Sequence, residues 1–185
     1  MKEIIFTQLQ KEMDQSVGAL RKDLAKVRTG RASTALLEHI VVDYYGATTP
    51  LNQVATLSAP EPRLLVVQPY DRSAMGDIEK AILKSDLGLT PNNDGKIIRV
   101  PIPQLTEERR KELVKHVKKI AEEFRVSVRN HRRVAVEQLK EAEKKKEITA
   151  DDSKHGHDRV QKITDEFIGR IDKIVKAKEE EIMEV

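Results

Sequence analysis

Apolar residues repeat along this chain with a helical period in its two flanks and with a strand-like period in its middle. In the first flank Leu9, Met13, Val17, Leu20, Leu24 and Val27 recur at spacings of three and four, which predicts one amphipathic helix. A second helix is predicted to open at Thr106, which reads as an N-cap after Pro103. Glu107 and Glu108 suit the positive end of its dipole. Its seam is Leu113, Val117, Ile120, Phe124, Val128, Ala135 and Leu139, continuing to about Lys146. A third begins at Thr149-Ala-Asp-Asp152, a capping box with Asp in place of Glu, and carries Val160, Ile163, Phe167, Ile171, Ile174 and Ile182. None of these seams is wide enough to hold a helix alone, so the pattern predicts an antiparallel three-helix bundle about 45–60 Å long.

Between the flanks the pattern changes. Ile40–Tyr45 is rich in β-formers and stops at Gly46, and Arg63–Gln68 holds a Leu-Leu-Val-Val run closed by Pro69. Met75, Ile78, Ile82 and Leu83 give Ser73–Ser85 a helical pattern that Gly88 can end. A turn cluster follows at Pro91–Gly95, then a strand at Ile97–Val100. The expected fold is therefore α+β in two domains. Residues 1–30 and 105–185 form the bundle, and residues 31–104 form an inserted β/α/β sandwich. The chain leaves the bundle near Gly30 and returns near Pro101-Ile-Pro103. Such a double tether restricts motion to a hinge, with Gly30, Arg31, Pro103, Gln104 and Leu105 as its residues.

Composition sharpens this division. All seven prolines lie between Pro50 and Pro103, and Tyr44, Tyr45 and Tyr70 fall in the same region. Phe6, Phe124 and Phe167 sit one in each predicted long helix. Ala32–Gln104 holds 6 basic and 8 acidic residues, whereas the flanks hold 28 and 23, so the net charge of +3 conceals a basic bundle and an acidic insert. The absence of cysteine excludes a disulfide framework, a thiolate zinc site and a Cys nucleophile. Met1-Lys-Glu-Ile-Ile-Phe6 lacks a signal peptide's apolar run, and no stretch is long enough to span a bilayer, so a cytoplasmic protein is expected.

The chemistry is concentrated on the second helix. Arg125, Arg129, Arg132 and Arg133 lie about 130° from its seam, and Lys111, Lys115, Lys118 and Lys140 share their face. Only Glu122 interrupts this stripe. No acid falls between Phe124 and Val136, so pairing at four-residue spacing within the helix leaves that segment cationic. A solvated, salt-bridged face is the plain alternative. Against it, guanidinium forks grip phosphate oxygens in pairs, where solubility alone would be served by mixed Lys and Glu. With so few aromatic rings, shape and phosphate recognition of folded RNA is expected rather than base stacking. Arg28 and Arg31 add two cations where the first helix stops, with Gly30 as its C-cap or a hinge residue. Two other classes stay open on residues alone. An enzyme would need a histidine site, yet His39, His116, His131, His155 and His157 show no catalytic spacing. His155-Gly-His157 reads as an inert loop before the third helix, while His116 and His131 are expected at seam edges. A coiled-coil adaptor would be an elongated dimer, whereas three seams within one chain favour a monomer.

Read together and in order, Arg28-Thr-Gly-Arg-Ala-Ser33, Asp43-Tyr-Tyr-Gly46, Asp86-Leu-Gly-Leu89, Ile98-Arg-Val-Pro101, Leu105-Thr-Glu-Glu-Arg-Arg-Lys111 and Val128-Arg-Asn-His-Arg-Arg133 resemble the bacterial ribosome recycling factors. The likeness runs over essentially the whole chain. One departure is Thr34, where that family commonly has proline. The resemblance implies an L-shaped pair of domains and no catalytic activity. It implies a role in clearing ribosomes after termination, with the bundle on the large subunit and elongation factor G, driven by GTP, acting against the smaller domain. Arg129, Arg132 and Arg133 would then contact large-subunit ribosomal RNA, with Arg28, Gly30 and Arg31 near the same surface. No cofactor is implied for the chain itself, and no Gly-rich phosphate loop is present.

Overall fold

Three long helices build the larger of two units in the computed structural model, which describes residues 1–184. They are α1 (Lys2–Ala25) and two that follow the second unit in sequence, of 38 residues (Glu107–Lys144) and 34 residues (Ala150–Met183). At about 1.5 Å per residue the longer spans roughly 57 Å. The larger unit takes Met1–Thr29 and the chain from Glu107 onward; the smaller takes Gly30–Thr106. Gly30, Leu105 and Thr106 thus fall in the smaller unit, one or two residues away from the expected boundaries. A local reason is visible in the packing: a Cβ on Gly30 would stand 3.1 Å from Leu105 Cγ, so these two segments are pressed together.

In the smaller unit the elements in chain order are β1 (Val41–Tyr44), β2 (Ala47–Pro50), α2 (Leu51–Val54), β3 (Ala55–Glu61), β4 (Leu64–Pro69), α3 (Met75–Lys84), β5 (Asn92–Asn93) and β6 (Ile98–Pro101). The two flank helices that follow become α4 and α5. Strands β1 and β2 form a hairpin, and the other four pair antiparallel in the order β3-β4-β6-β5. Leu65 lies opposite Val100 and Val67 opposite Ile98, so one face of the sheet presents a row of fully buried aliphatics to Ile78 and Ile82 of α3. Both ends of the unit are stitched to one turn: the Ala32 amide donates to Pro62 O at 2.7 Å and the Ile102 amide to Arg63 O at 2.8 Å.

In the larger unit α4 runs against both partners while α1 and α5 run parallel. Lys2 meets Asp152, Asp14 meets Arg170 and Thr29 meets Glu181 in ascending order along α5. Conversely Arg110, Arg125, Arg132 and Leu139 of α4 meet Met183, Asp172, Gln161 and Gly156 in descending order. The core is Leu9, Met13, Leu20, Val117, Ala121, Val128, Leu139, Val160, Ile171 and Ile182, all 2% exposed or less. Ile120, Phe124 and Ile174, expected in the seams, are only half-buried, and Ala121 and Val175 take the inner positions. A three-helix contact is tight enough that a small side chain suits the line of closest approach and the larger ones are pushed to its edges. Arg159 and Arg170 then cover Phe6 and Phe167, with guanidinium carbons 4.3 and 4.6 Å from the ring centroids.

Helix ends account for three further corrections. Helix α1 stops at Ala25 with Lys26 as its cap, so Gly30, at φ 77°, is a turn residue outside the helix rather than its C-cap. Helix α4 stops at Lys144. Lys146, at φ 60°, takes the left-handed position and lets the Glu147 amide reach back to Ala142 O at 2.9 Å. Helix α5 has the full capping box expected at Thr149 and Asp152, and it starts early enough to absorb His155-Gly-His157, so this tripeptide is helical rather than a loop. Gly156 is buried there because a Cβ would stand 3.0 Å from both methyls of Leu139.

Two predictions follow from these contacts. Gly156→Leu should cost about 2–3 kcal/mol by overpacking. Gly156→Ala should be better tolerated when Leu139→Ala has vacated the space, with a coupling of about 1 kcal/mol in a denaturant double-mutant cycle. Asp152 is held down at about 2, first by the Lys2 ammonium and then by the Thr149 amide. Its folded value lies below the unfolded one, so its contribution is complete above about pH 4 and disappears as pH falls toward about 2. Urea melts of Asp152→Asn and the parent chain should therefore differ at neutral pH and converge in that acid window.

Candidate nucleic-acid interface

Helix α4 contains no glycine or proline, so a bearing set at one turn is kept along its whole length. With Leu113, Val117, Val128 and Leu139 turned inward, Lys111, Lys115, Lys118, Arg129, Arg133 and Lys140 are all exposed. The four arginines nevertheless differ in their surroundings. Arg125 is half-buried, with 23% of its side chain exposed. It donates to Asp172 Oδ1 from Nη2 at 2.7 Å and from Nε at 3.1 Å, with Glu122 at 3.4 Å. Arg129 is 53% exposed and donates to the other Glu122 oxygen at 3.1 Å. Arg132 donates at 3.0 Å to the amide oxygen of Gln161, whose own NH2 donates to Asp165 at 2.8 Å. Arg133 is exposed and has no hydrogen-bond or ion-pair partner among the described residues.

Pairing across helices and at seven-residue spacing thus reaches a segment that four-residue spacing leaves alone. Four guanidinium groups face two carboxylates, Glu122 and Asp172, which leaves a net charge of +2. That surplus is not evenly spread. Arg125 is locked against α5, whereas Arg132 is oriented by a neutral amide that steadies the fork and leaves its charge uncompensated. Lys115, Lys118 and Lys140 are also without ion-pair partners among the described residues, while Lys111 meets Glu107 at 3.0 Å. The positive ridge therefore consists of the exposed Arg133, Lys115, Lys118 and Lys140 and the half-buried Arg132, with Arg129 and Lys111 at its half-neutralised edge.

The remaining expected residues lie elsewhere. Arg28 and Arg31 are exposed and flank Thr29, which is buried and donates from Oγ1 to Glu181 at 3.0 Å. Of the expected hinge set, Gly30 and Leu105 are half-buried against each other, and Arg31, Pro103 and Gln104 are exposed. Two charged features were not singled out from the sequence. Arg110 is 92% buried and donates at 3.1 Å to the carbonyl of Met183, at the negative end of α5. A buried cation inside an Arg-Arg-Lys run has no signature of its own.

The second is a Ser–His–Glu trio between α1 and α4. His131 Nδ1 lies 3.1 Å from Glu12 Oε2, and its Nε2 lies 3.3 Å from Ser16 Oγ and 3.5 Å from Ser127 Oγ. His131 thus sits half-buried at the helix contact, while His116 is exposed rather than at a seam edge. The trio resembles a nucleophile relay only in its order. Ser16 is 91% buried and its hydroxyl donates to Glu12 O at 3.2 Å. The surrounding amides are spent on the helix ladder, so no donors are aimed where an oxyanion would form. Among the described residues no helix is long and apolar enough to cross a membrane, and no group of three metal-ligating side chains converges.

The model of the ribosome recycling factor family matches residues 20–183. The ribosome-recycling factor of Natranaerobius thermophilus is 60% identical over 96% of this chain and 97% of its own length, and that of Bacillus subtilis is 55% identical over the full length of both. Among solved structures, a ribosome recycling factor in solution covers 100% of this chain and 98% of its own at 46% identity, with a TM-score of 0.74. A second is described as models of the T. thermophilus ribosome recycling factor and the E. coli elongation factor G bound to the E. coli post-termination complex. It is 48% identical over the full length of both chains, with a TM-score of 0.64. On sequence and on architecture alike, this chain belongs to the ribosome recycling factor family.

Proposed function

We propose that this chain clears the ribosome after termination in the cytoplasm. It acts as a monomer without cofactor or catalysis of its own, on the large subunit and together with elongation factor G, which supplies the GTP. The observation that carries this reading is full-length identity to ribosome-recycling factors at 55% or more. The bundle is the anchor. Arg132, Arg133 and Lys118 supply the main contacts to large-subunit ribosomal RNA, Arg129 a weaker one, and Arg28 and Arg31 extend the same grip. Arg125 contributes more to holding α4 against α5 than to binding, because Asp172 already occupies its fork. This is a narrower ridge than the charge run alone suggests, and it selects phosphate geometry rather than sequence.

The smaller unit is the part that the partner factor moves. Ala32 and Ile102 are bonded to the Pro62–Arg63 turn, and Thr29 is bonded to Glu181 of α5. In this reading the hinge falls between these bonded points, at Gly30 and Arg31 on one tether and at Pro103, Gln104 and Leu105 on the other. The decisive experiment mixes the protein with post-termination ribosomes, elongation factor G and GTP and follows subunit separation by light scattering. An unchanged signal would sink the function.

The ridge makes its own prediction. Arg132→Ala and Arg133→Ala should each weaken ribosome binding about tenfold and lower the slope of log affinity against log salt by about 1. Lys140→Ala should do less, and Arg125→Ala should change the slope little because its charge is already neutralised. Equal losses for Arg125→Ala and Arg132→Ala in a sedimentation assay at several salt concentrations would count against this ranking.

A further inference from the structure

The β1–β2 hairpin carries an anomaly that the anchor and hinge do not use. Tyr44 pairs with Ala47, so Tyr45 and Gly46 are the two central residues of the turn, at φ 49° and 79°. Positive φ at both positions is the geometry that Asn-Gly fits best, and a bulky side chain seldom adopts it. Here the first position holds tyrosine. Its ring is not driven there by burial, since Tyr45 is 79% exposed. Instead the ring is fixed in place. Its hydroxyl donates to Asp71 Oδ2 at 2.9 Å and lies 3.4 Å from Ser73 Oγ, and Tyr44 stands edge-on to it, with centroids 4.6 Å apart.

Asp71 is the second half of the arrangement. Its other oxygen accepts the Ser73 amide at 2.9 Å. The Ser73 amide, the Ser73 hydroxyl and the Tyr45 hydroxyl hold its carboxyl below the ordinary value, so it is ionised. Among the described residues no Lys or Arg pairs with it, although Arg72 is next in sequence. Tyr70, one residue before it, is 69% exposed, and Asp43 on β1 is exposed as well. A backbone conformation that tyrosine disfavours is kept in order to show water an immobilised aromatic face beside an uncompensated carboxylate.

We propose that Tyr44, Tyr45 and Asp71 form a docking platform for an arginine- or lysine-bearing protein segment. The apolar stem of such a side chain would lie on the Tyr45 ring and its cation would meet the ring face and Asp71. Phosphate is excluded as the occupant by the sign of Asp43 and Asp71. This rests on the function proposed above and assigns the segment to elongation factor G, the component that acts against this unit.

Tyr45→Asn makes the test sharp, because it installs the preferred Asn-Gly turn while deleting the ring. Asp71→Asn deletes the charge and keeps an oxygen for the Ser73 amide. Tyr45→Asn should melt at or above the temperature of the parent chain. Both variants should bind ribosomes as the parent does, while the elongation factor G concentration giving half-maximal subunit separation rises about fivefold or more. Half-saturation unchanged in both variants would overturn the platform. So would a lower melting temperature for Tyr45→Asn, which would make the ring structural, or weaker ribosome binding by the variants alone, which would place the occupant on the ribosome. A parent chain that fails to separate subunits would overturn the function itself and this assignment with it; an active parent with equally active variants would overturn the platform alone.

Discussion

The inward commitment of one face of α4 governs the rest of the molecule's chemistry. Three narrow seams are each too weak to hold a helix, and they become stable only by covering one another. Once Val117, Ala121, Val128 and Leu139 are shut away from water, the 100° turn per residue sends Lys118, Arg129 and Arg133 outward without any further instruction. A charged surface obtained in this way is rigid because it is the reverse side of a core. Its cations cannot wander farther than their own side chains allow.

That rigidity explains why pairing with acids does not simply cancel the ridge. Exposed ion pairs contribute little to stability and are easily exchanged for a better anion. Arg129, half exposed on Glu122, belongs to this kind. Arg125, with two donors on one Asp172 oxygen and less than a quarter of its side chain in water, does not. Arg132 represents a third solution. A neutral amide orients it, and that amide is itself oriented by Asp165, so the fork is aimed without loss of charge. One helix face thus holds a structural arginine and a poised one within two turns of each other.

What could be read from the chain follows the same physics. Helical seams and the Thr149–Asp152 cap were legible because period and capping are local properties of sequence. The inner positions were less so: Ala121 displaced Ile120 and Phe124 because helix separation, not hydrophobicity, decides which side chain fits the closest approach. Strands β2 and β3 and the single turn α2 left no alternating signal. Ala47–Pro50 holds two adjacent threonines and no large apolar residue, and β3 is an exposed edge strand that contains Pro60. The stripe itself was visible as a run of like charge, but its division into paired and unpaired arginines was not. Asp172 and Gln161 lie 47 and 29 residues away, and only the packed helices bring them near. His155-Gly-His157 resembles a loop in sequence, yet it is helical, for a related reason. Its glycine looks like a loop residue until Leu139 is placed against it.

A stiff anchor is useful only if the attached unit moves as one piece, and the bonding of the tethers favours that. Ala32 and Ile102 are bonded to adjacent residues of one turn, so in the proposed mechanism a force on the unit would reach both tethers together. On the other side Thr29 is fastened to α5, which keeps the first tether from lengthening at the expense of α1. In the proposed mechanism the adjustable backbone is then short. Gly30 is free to change φ where other residues are not, and Pro103 resists such change, which leaves Gln104 and Leu105 to adapt. Two short tethers must satisfy one another's end points at every step, so their joint motion is far more restricted than that of either alone. In that mechanism a hinge of this kind would convert a push on the smaller unit into rotation rather than slack. The proposed platform fits that mechanism, because the Tyr45 ring at the β1–β2 turn is held by a hydrogen bond to Asp71 rather than by burial and would receive such a push on a fixed surface.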